Sequence, residues 1–231
     1  MDVALQWKIT RDRENYVYAY VVSNGPSARQ PIHRWSIETA NSTNTRATHN
    51  SWAGRIANSS PGISSGLDVA ERPQAIKFQG RVEFTNPKGP DILSGQAASG
   101  FVITSDLAPG FVLAHGKGGS LQRDVTPQDI ASLPPQVGDE LNKCLSEQWD
   151  SKAIQVIGPA IPKGVSVFEV EQNYLLGVQH ILGHGSHRRQ SPALEQLIAI
   201  LKNASSSEGS RVSLQDIESL ENWALRTNFR F

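Results

Sequence analysis

Three closely spaced histidines are the residues of this sequence best suited to chemistry. His180, His184 and His187 lie in one short stretch of the C-terminal half. Histidines four residues apart share one face of a helix, and imidazole is a good ligand for zinc, copper or nickel. The spacing therefore makes these three residues candidate metal ligands, in a metal-binding protein or a metal-dependent enzyme.

The neighbouring residues favour a different interpretation of the same stretch. Gly183 and Gly185 stand where the helix would have to continue, and Arg188 and Arg189 add positive charge that disfavours a bound cation. No His-Glu-x-x-His pattern is present, so no adjacent general base is implied. The alternative is a glycine-rich helix end with cations near its carbonyl terminus. We therefore expect neither a stoichiometric metal nor another cofactor.

Aromatic residues form a second candidate site. Tyr16, Tyr18 and Tyr20 share one face of a predicted strand, and Trp52 precedes a stretch rich in Ser and Asn. Exposed, they would form a binding strip for a glycan or a peptide. Aromatic residues in strands also serve as core residues or cross-strand pairs. The sequence leaves both interpretations open.

Other catalytic patterns are missing. The stretch around Ser186 is not Gly-x-Ser-x-Gly, and the glycine-rich segment His115–Ser120 lacks the upstream glycine of a phosphate-binding loop, so it is predicted to be a linker. One cysteine permits neither an intrachain disulfide nor a four-cysteine zinc site. These observations favour a protein that is not an enzyme.

Composition limits the partners. The 231 residues include 22 basic and 22 acidic side chains, so the formal net charge is zero and no nucleic-acid partner is expected. No apolar run approaches the roughly 18 residues of a membrane span. The length suits one large domain or two small ones.

The first half has the alternation typical of β-strands. Apolar residues at every second position, as at Leu5, Trp7 and Ile9, indicate strands with one buried face. Several such segments separated by turn residues predict an antiparallel β-sandwich of about seven strands. The aromatic residues expected to line its core are Trp7, Tyr18, Trp35, Phe78, Phe84 and Phe101. The irregular segment 53–74 is predicted to be a surface loop, a functional loop or an edge strand.

The second half has helical spacing. Tyr174, Val178 and Ile181 form one apolar stripe, and helix-start signals occur at Pro192 and Ser213. The fold class is therefore mainly β with α. It divides into a sandwich domain at 1–118, a linker with short helices at 119–165, and a helical region at 166–231 that ends in a helix hairpin. The segment 1–118 is expected to fold alone.

Turn residues in the first half resemble those of a group of bacterial proteins. Ser60–Leu67 places a Pro-Gly-x-Ser turn before a strand, and Ser99–Gly110 places a Ser-Gly-Phe strand before a Ser-x-x-x-Pro-Gly turn. With the aromatic strand Tyr16–Asn24, they make residues 5–118 similar to secreted bacterial β-sandwich proteins, immunoglobulin-like or fibronectin-like, of unassigned function. The resemblance implies that fold and export, and it assigns no catalytic residue.

The leading functional hypothesis is a non-enzymatic interaction module with a protein or glycan partner. No apolar signal core follows Met1. The expected location is therefore extracellular or in the cell envelope if a signal peptide was removed, and cytoplasmic otherwise. A metal-binding protein or metal-dependent enzyme is the first alternative, and an intracellular scaffold is the second.

Overall fold

The computed structural model describes most of the chain. The described residues are 2–42, 44–58, 76, 78–86, 91–118, 132, 134–138, 151–184, 192–205 and 214–226. They contain nine strands: β1 Val3–Asp12, β2 Asn15–Asn24, β3 Ile32–Ala40, β4 Arg46–Thr48, β5 Ala53–Asn58, β6 Phe78–Thr85, β7 Ala97–Ser105, β8 Ala108–Gly118 and β9 Ser151–Ile161. Three long helices follow: α1 Val167–His184, α2 Pro192–Ser205 and α3 Leu214–Arg226.

The strands form two antiparallel sheets. Sheet 1 has the order β1-β2-β7-β4, and sheet 2 has the order β5-β6-β3-β8-β9. Every strand pair is antiparallel. The prediction of a mainly β chain, with an antiparallel sandwich followed by a small helical region, is confirmed.

An aromatic cluster fills the space between the sheets. Trp35 of sheet 2 stacks on Phe84 with ring centroids 4.8 Å apart, and it meets Phe101 of sheet 1 edge-on at 5.0 Å. The alternation that predicted the strands places these rings inward, because successive side chains of a strand point to opposite faces. Five of the six predicted core aromatics are buried, and Phe78 is partly buried at the edge of the same core.

The last strand of sheet 2 lies where the sequence predicted a linker. β9 pairs with β8 from Ala108/Ile161 to Lys117/Ser151, so residues 151–161 belong to the sandwich and the linker prediction is wrong for them. Gly158 and Pro159 belong to this predicted linker. In the structure Gly158 lies where a Cβ atom would come within 2.7 Å of Ile37 and Val112, so the glycine permits close packing inside the sandwich.

Two short strands account for the other differences between the predicted and the observed structure of the first half. β4 and β5 are edge strands, of sheet 1 and sheet 2 respectively. β5 confirms the edge-strand alternative for the start of the irregular segment, whereas residues 59–74 lie outside the described residues. The predicted linker from His115 to Ser120 is also corrected, because β8 continues to Gly118.

The helical region packs directly on the sandwich. α1 contacts β8 and β9, and α3 contacts β1 and β8. Phe111 of β8 meets Tyr174 of α1 at 5.6 Å and Trp223 of α3 at 6.2 Å between ring centroids, and Trp223 Nε1 donates a hydrogen bond to the Ala193 carbonyl of α2 at 2.7 Å. Among the described residues, no helix is long and apolar enough to cross a membrane.

Candidate functional site

The candidate site begins where two neighbouring strands of sheet 2 separate. β3 and β8 are paired from Ile32/Gly118 to Ile37/Ala114. Beyond that point β3 stays with β6 as far as Ala40, while β8 stays with β9. The separation opens a wedge in the sheet, next to Glu38 on one side and Leu113 on the other.

Helix α1 closes one end of this wedge. Asn173 accepts a hydrogen bond from the Phe111 amide through Oδ1 at 2.7 Å and donates one to the Phe111 carbonyl through Nδ2 at 2.9 Å. The Tyr174 hydroxyl donates to the Pro109 carbonyl at 2.8 Å. Backbone groups left by the separated strand are thereby satisfied, as buried polar groups must be, and α1 is fixed over the sheet.

Between α1 and the sheet lies a partly open pocket of about 90 Å³. Its floor is the outer face of sheet 2 and its roof is one face of α1. It is lined by Glu38, Ile76, Phe78, Phe111, Val112, Leu113, Gln155, Asn173, Leu176, Gly177 and His180. Most of this lining is apolar, and Glu38, Gln155 and His180 bring the polar groups that can select a ligand.

Two of those polar groups are hydrogen-bond acceptors. Glu38 Oε1 lies 3.0 Å from Nε2 of His115, a buried side chain on β8. The Oε1 atom of Gln155 is buried and has no hydrogen-bond partner among the described residues. A water-sized group does not reach this Gln155 oxygen in the structure, so the acceptor that the pocket offers to a ligand is the Glu38 carboxylate.

The chemistry of this pocket suits non-covalent binding. Among the described residues, its lining includes no Ser, Thr, Cys, Lys or Tyr, and Glu38 and His180 are its side chains of a type that can act as a nucleophile. What the lining does offer is a carboxylate, an amide and an imidazole around apolar walls. That combination can orient an amphipathic group without forming a bond to it.

Of the three predicted metal ligands, the structure describes the side chain of His180 alone. His180 lies on α1 and lines the pocket, whereas the side chain of His184 and the whole of His187 lie outside the described residues. In the described part of the chain, no group of three His, Cys, Asp or Glu side chains is arranged to hold a metal ion. α1 extends through Gly183 to His184, and residues 185–191 lie outside the described residues.

The candidate aromatic strip is part of the core. Tyr16, Tyr18 and Tyr20 are 6%, 0% and 1% exposed, and Trp52 is 5% exposed with its ring 5.4 Å from that of Phe101. The tyrosine hydroxyls donate to Glu221 Oε1 and to the Leu107 and Ile157 carbonyls. The tyrosines lie on the inward face of β2, so these aromatics do not form an exposed binding surface.

Burial also changes the acidity of these tyrosines. Desolvation, with the hydrogen bond and charge of Glu221, raises the pKa of Tyr16 to about 12. Desolvation likewise raises the pKa values of Tyr18 and Tyr20. Their hydroxyls are therefore uncharged donors that fix the positions of backbone segments.

Sequence reasoning missed Glu38, His115 and Gln155. Glu38 is a polar residue on the outward face of a strand, His115 lies in a segment interpreted as a linker, and Gln155 lies in a region predicted to lack strands. Gln155 carries the one usable signal, since a single polar side chain stands within the apolar run Ala153–Ile157. That signal becomes informative only when β9 is recognised as a strand.

The comparisons give no relative for this fold and pocket. No protein-family model matches the chain, and no curated protein or solved structure matches it either.

Proposed function

We propose that this protein is a non-enzymatic interaction module and that the pocket between sheet 2 and α1 holds part of its ligand. The observation that carries the proposal is the Glu38 carboxylate, whose Oε2 has no partner among the described residues, in a largely apolar pocket. A carboxylate oxygen without a partner in an apolar pocket favours a ligand that brings a hydrogen-bond donor. An extracellular or envelope location is part of this proposal and rests on the sequence resemblance.

The size of the pocket supports a protruding group of a larger partner. A volume of about 90 Å³ is well below the 300–1,000 Å³ of a typical small-molecule site. It fits one side chain or one substituent. A protein or a decorated glycan would place such a group in the pocket and make further contacts outside it.

The test uses small fragments and the full-length protein. A mixture of fragments with four to six non-hydrogen atoms and positive, neutral or negative head groups is titrated while amide NMR signals are recorded. We expect shifts centred on the amides of Leu113, Gln155 and Gly177. Fragments that bind only elsewhere, or that do not bind at all, would contradict the proposal.

A pair of variants on α1 makes the test specific. Leu176→Trp places a larger side chain at the pocket and should abolish fragment binding. Leu182→Trp is the matched control, because Leu182 is 49% exposed on the same helix and does not line the pocket. Circular dichroism establishes that both variants fold before their binding is compared.

A further inference from the structure

We infer that the group bound in this pocket is a primary ammonium on a short apolar stem. This inference rests on the proposed function and specifies the chemistry of its ligand. A lysine side chain and a free alkylamine share that chemistry.

The charge of the pocket supports a cationic group. Among the described residues, Glu38 supplies the one carboxylate of the lining, and neither lysine nor arginine lines the pocket. His115 contacts Oε1 of this carboxylate, which leaves Oε2 without a hydrogen-bond partner in the part of the chain that the structure describes. A charge-assisted hydrogen bond to that oxygen is roughly twice as strong as a neutral one.

The strand register places the polar side chains of Glu38 and Gln155 on the same face of sheet 2. In the β8–β9 register Gln155 lies opposite Leu113, and Glu38 follows Ile37, which lies opposite Ala114. The carboxylate and the amide therefore lie on the same face of the sheet, on either side of Leu113. An ammonium carries three donors and no acceptor, so it suits the Glu38 carboxylate, whereas a carboxylate ligand would face Glu38 with like charge and no donor.

Within the residues that the structure describes, neither lysine nor arginine forms an ion pair with Glu38, which contacts His115. Arg81 stands opposite Glu38 in the β3–β6 register, but among the described residues the arginine ion pair on these two strands joins Arg34 to Glu83 at 2.9 Å. His180 of α1 lines the side of the pocket opposite the sheet, and a neutral imidazole can accept or donate a hydrogen bond. A measurement at pH 8 lies above the usual titration range of histidine.

The walls and the volume fit a stem of about four carbons. Ile76, Leu113 and Leu176 present aliphatic surface, and Phe78 and Phe111 present rings whose faces attract cations. A chain of four methylenes with a terminal nitrogen is the lysine side chain. The pocket thus offers apolar contacts to the stem and acceptors to its charged end.

Three probes of one shape test the inference at pH 8 with the full-length protein. n-Butylammonium, butan-1-ol and butyrate differ at the head group and share the apolar stem. We expect n-butylammonium to bind with a millimolar Kd, as a ligand of five non-hydrogen atoms should. Butan-1-ol should bind at least tenfold more weakly, and butyrate should cause no shift of the pocket amides.

Two glutamate variants test whether the negative charge of Glu38 is required for ammonium binding. Glu38→Gln should weaken n-butylammonium binding at least tenfold and leave butan-1-ol binding unchanged. Glu83→Gln is the control, because Glu83 lies on the adjacent strand and does not line the pocket. If Glu38→Gln does not fold, the three-probe comparison on the unaltered protein decides alone.

Some outcomes contradict only the inference, and others also contradict the proposed function. Equal binding of the alcohol and the ammonium, or tighter binding of butyrate, overturns the inference and leaves the pocket as a binding site. Absence of binding by all three probes overturns both. Tighter binding of Nα-acetyl-lysine amide than of n-butylammonium supports a lysine of a partner protein as the source, and the reverse order supports a free amine.

Discussion

Asn173 performs for Phe111 the hydrogen bonding that a neighbouring strand would otherwise provide. Its amide pairs with both the amide and the carbonyl of that residue, and it is 8% exposed. One side chain therefore holds α1 on the sheet and closes the wedge between β3 and β8. The pocket depends on this clamp, although Asn173 adds no free donor or acceptor to it.

Asn173→Ala should destabilise the protein by about 2–4 kcal/mol, because it leaves two buried backbone groups without partners. Urea denaturation measures the change in the free energy of unfolding. Asn41→Ala is the control: Asn41 donates to Gln79 Oε1 at an exposed site, and its loss should cost less than about 0.5 kcal/mol. Similar costs for the two variants would show that the clamp contributes nothing specific.

The four tyrosines make a second prediction at the residue scale. All four, Tyr16, Tyr18, Tyr20 and Tyr174, are buried, and the environment raises the pKa of each. Each folded-state pKa lies above the unfolded value near 10. The associated stability is therefore fully present below pH 10 and is lost as the pH rises toward about 12, the pKa of Tyr16.

Absorbance at 295 nm, recorded with circular dichroism during an alkaline titration, tests this linkage. We expect no tyrosinate signal from the folded protein at pH 10, followed by a rise that coincides with loss of structure. A tyrosine that ionises reversibly near pH 10 in the folded protein would mean that at least one ring is exposed.

Helix α1 lies very close to the sheet at one glycine. A Cβ atom added to Gly177 would stand 2.2 Å from ring atoms of Phe111, whereas one added to Gly183 in the same helix would meet nothing within 4 Å. Gly177 thus permits the close approach that forms the roof of the pocket, and Gly183 serves no packing role among the described residues.

Alanine substitutions at these two glycines should have opposite effects. Gly183→Ala should stabilise the protein by up to about 1 kcal/mol, the ordinary gain in helix propensity. Gly177→Ala should destabilise it by about 1–3 kcal/mol through overpacking. Thermal unfolding of the two variants measures both changes. Stabilisation by Gly177→Ala would contradict the close packing of α1 on β8.

The elements that could be predicted from the sequence are those with local signals. Alternation marked β1, β2 and β3, and the start signals at Pro192 and Ser213 marked α2 and α3, because these patterns depend on residues close in sequence. β9 lacked such a pattern: residues 156–160 are buried on both faces and include Gly158 and Pro159, which suggested a connector. Its strand conformation depends on pairing with β8, a non-local contact.

The site was harder to predict than the fold for a related reason. Glu38 comes from β3, which is far in the chain from β9 and α1, the consecutive elements that supply Gln155 and His180. Only the order β3-β8-β9 in sheet 2, together with the docking of α1, brings them to one pocket. His180 was a candidate for a different reason, its spacing from two other histidines, and its place in the pocket does not depend on that spacing.

At the scale of the whole molecule, the sandwich and the helices share one continuous core. The buried cluster extends from Val3 of β1 to Ala224 of α3. The salt bridge between Arg11 and Glu221 at 3.1 Å joins the first strand to the last helix. The division at residue 118, a prediction from sequence, would cut through this core.

The fragment 1–118 should therefore not fold alone. It lacks β9, so one side of β8 loses its pairing, and it lacks the helices that bury Phe111. We expect circular dichroism and amide NMR dispersion typical of an unfolded or aggregated chain, with the full-length protein as the folded reference. A folded, monomeric fragment would restore the domain boundary that the sequence suggested.

The central claim of this account is that the pocket between sheet 2 and α1 is where the protein binds its ligand. A crystal of the full-length chain soaked with n-butylammonium and the fragment set tests that claim most directly. We predict electron density between Leu113, Gln155 and Leu176, with the head group of the bound molecule beside Glu38. An empty pocket, in crystals where the same fragments occupy another site, would contradict the claim.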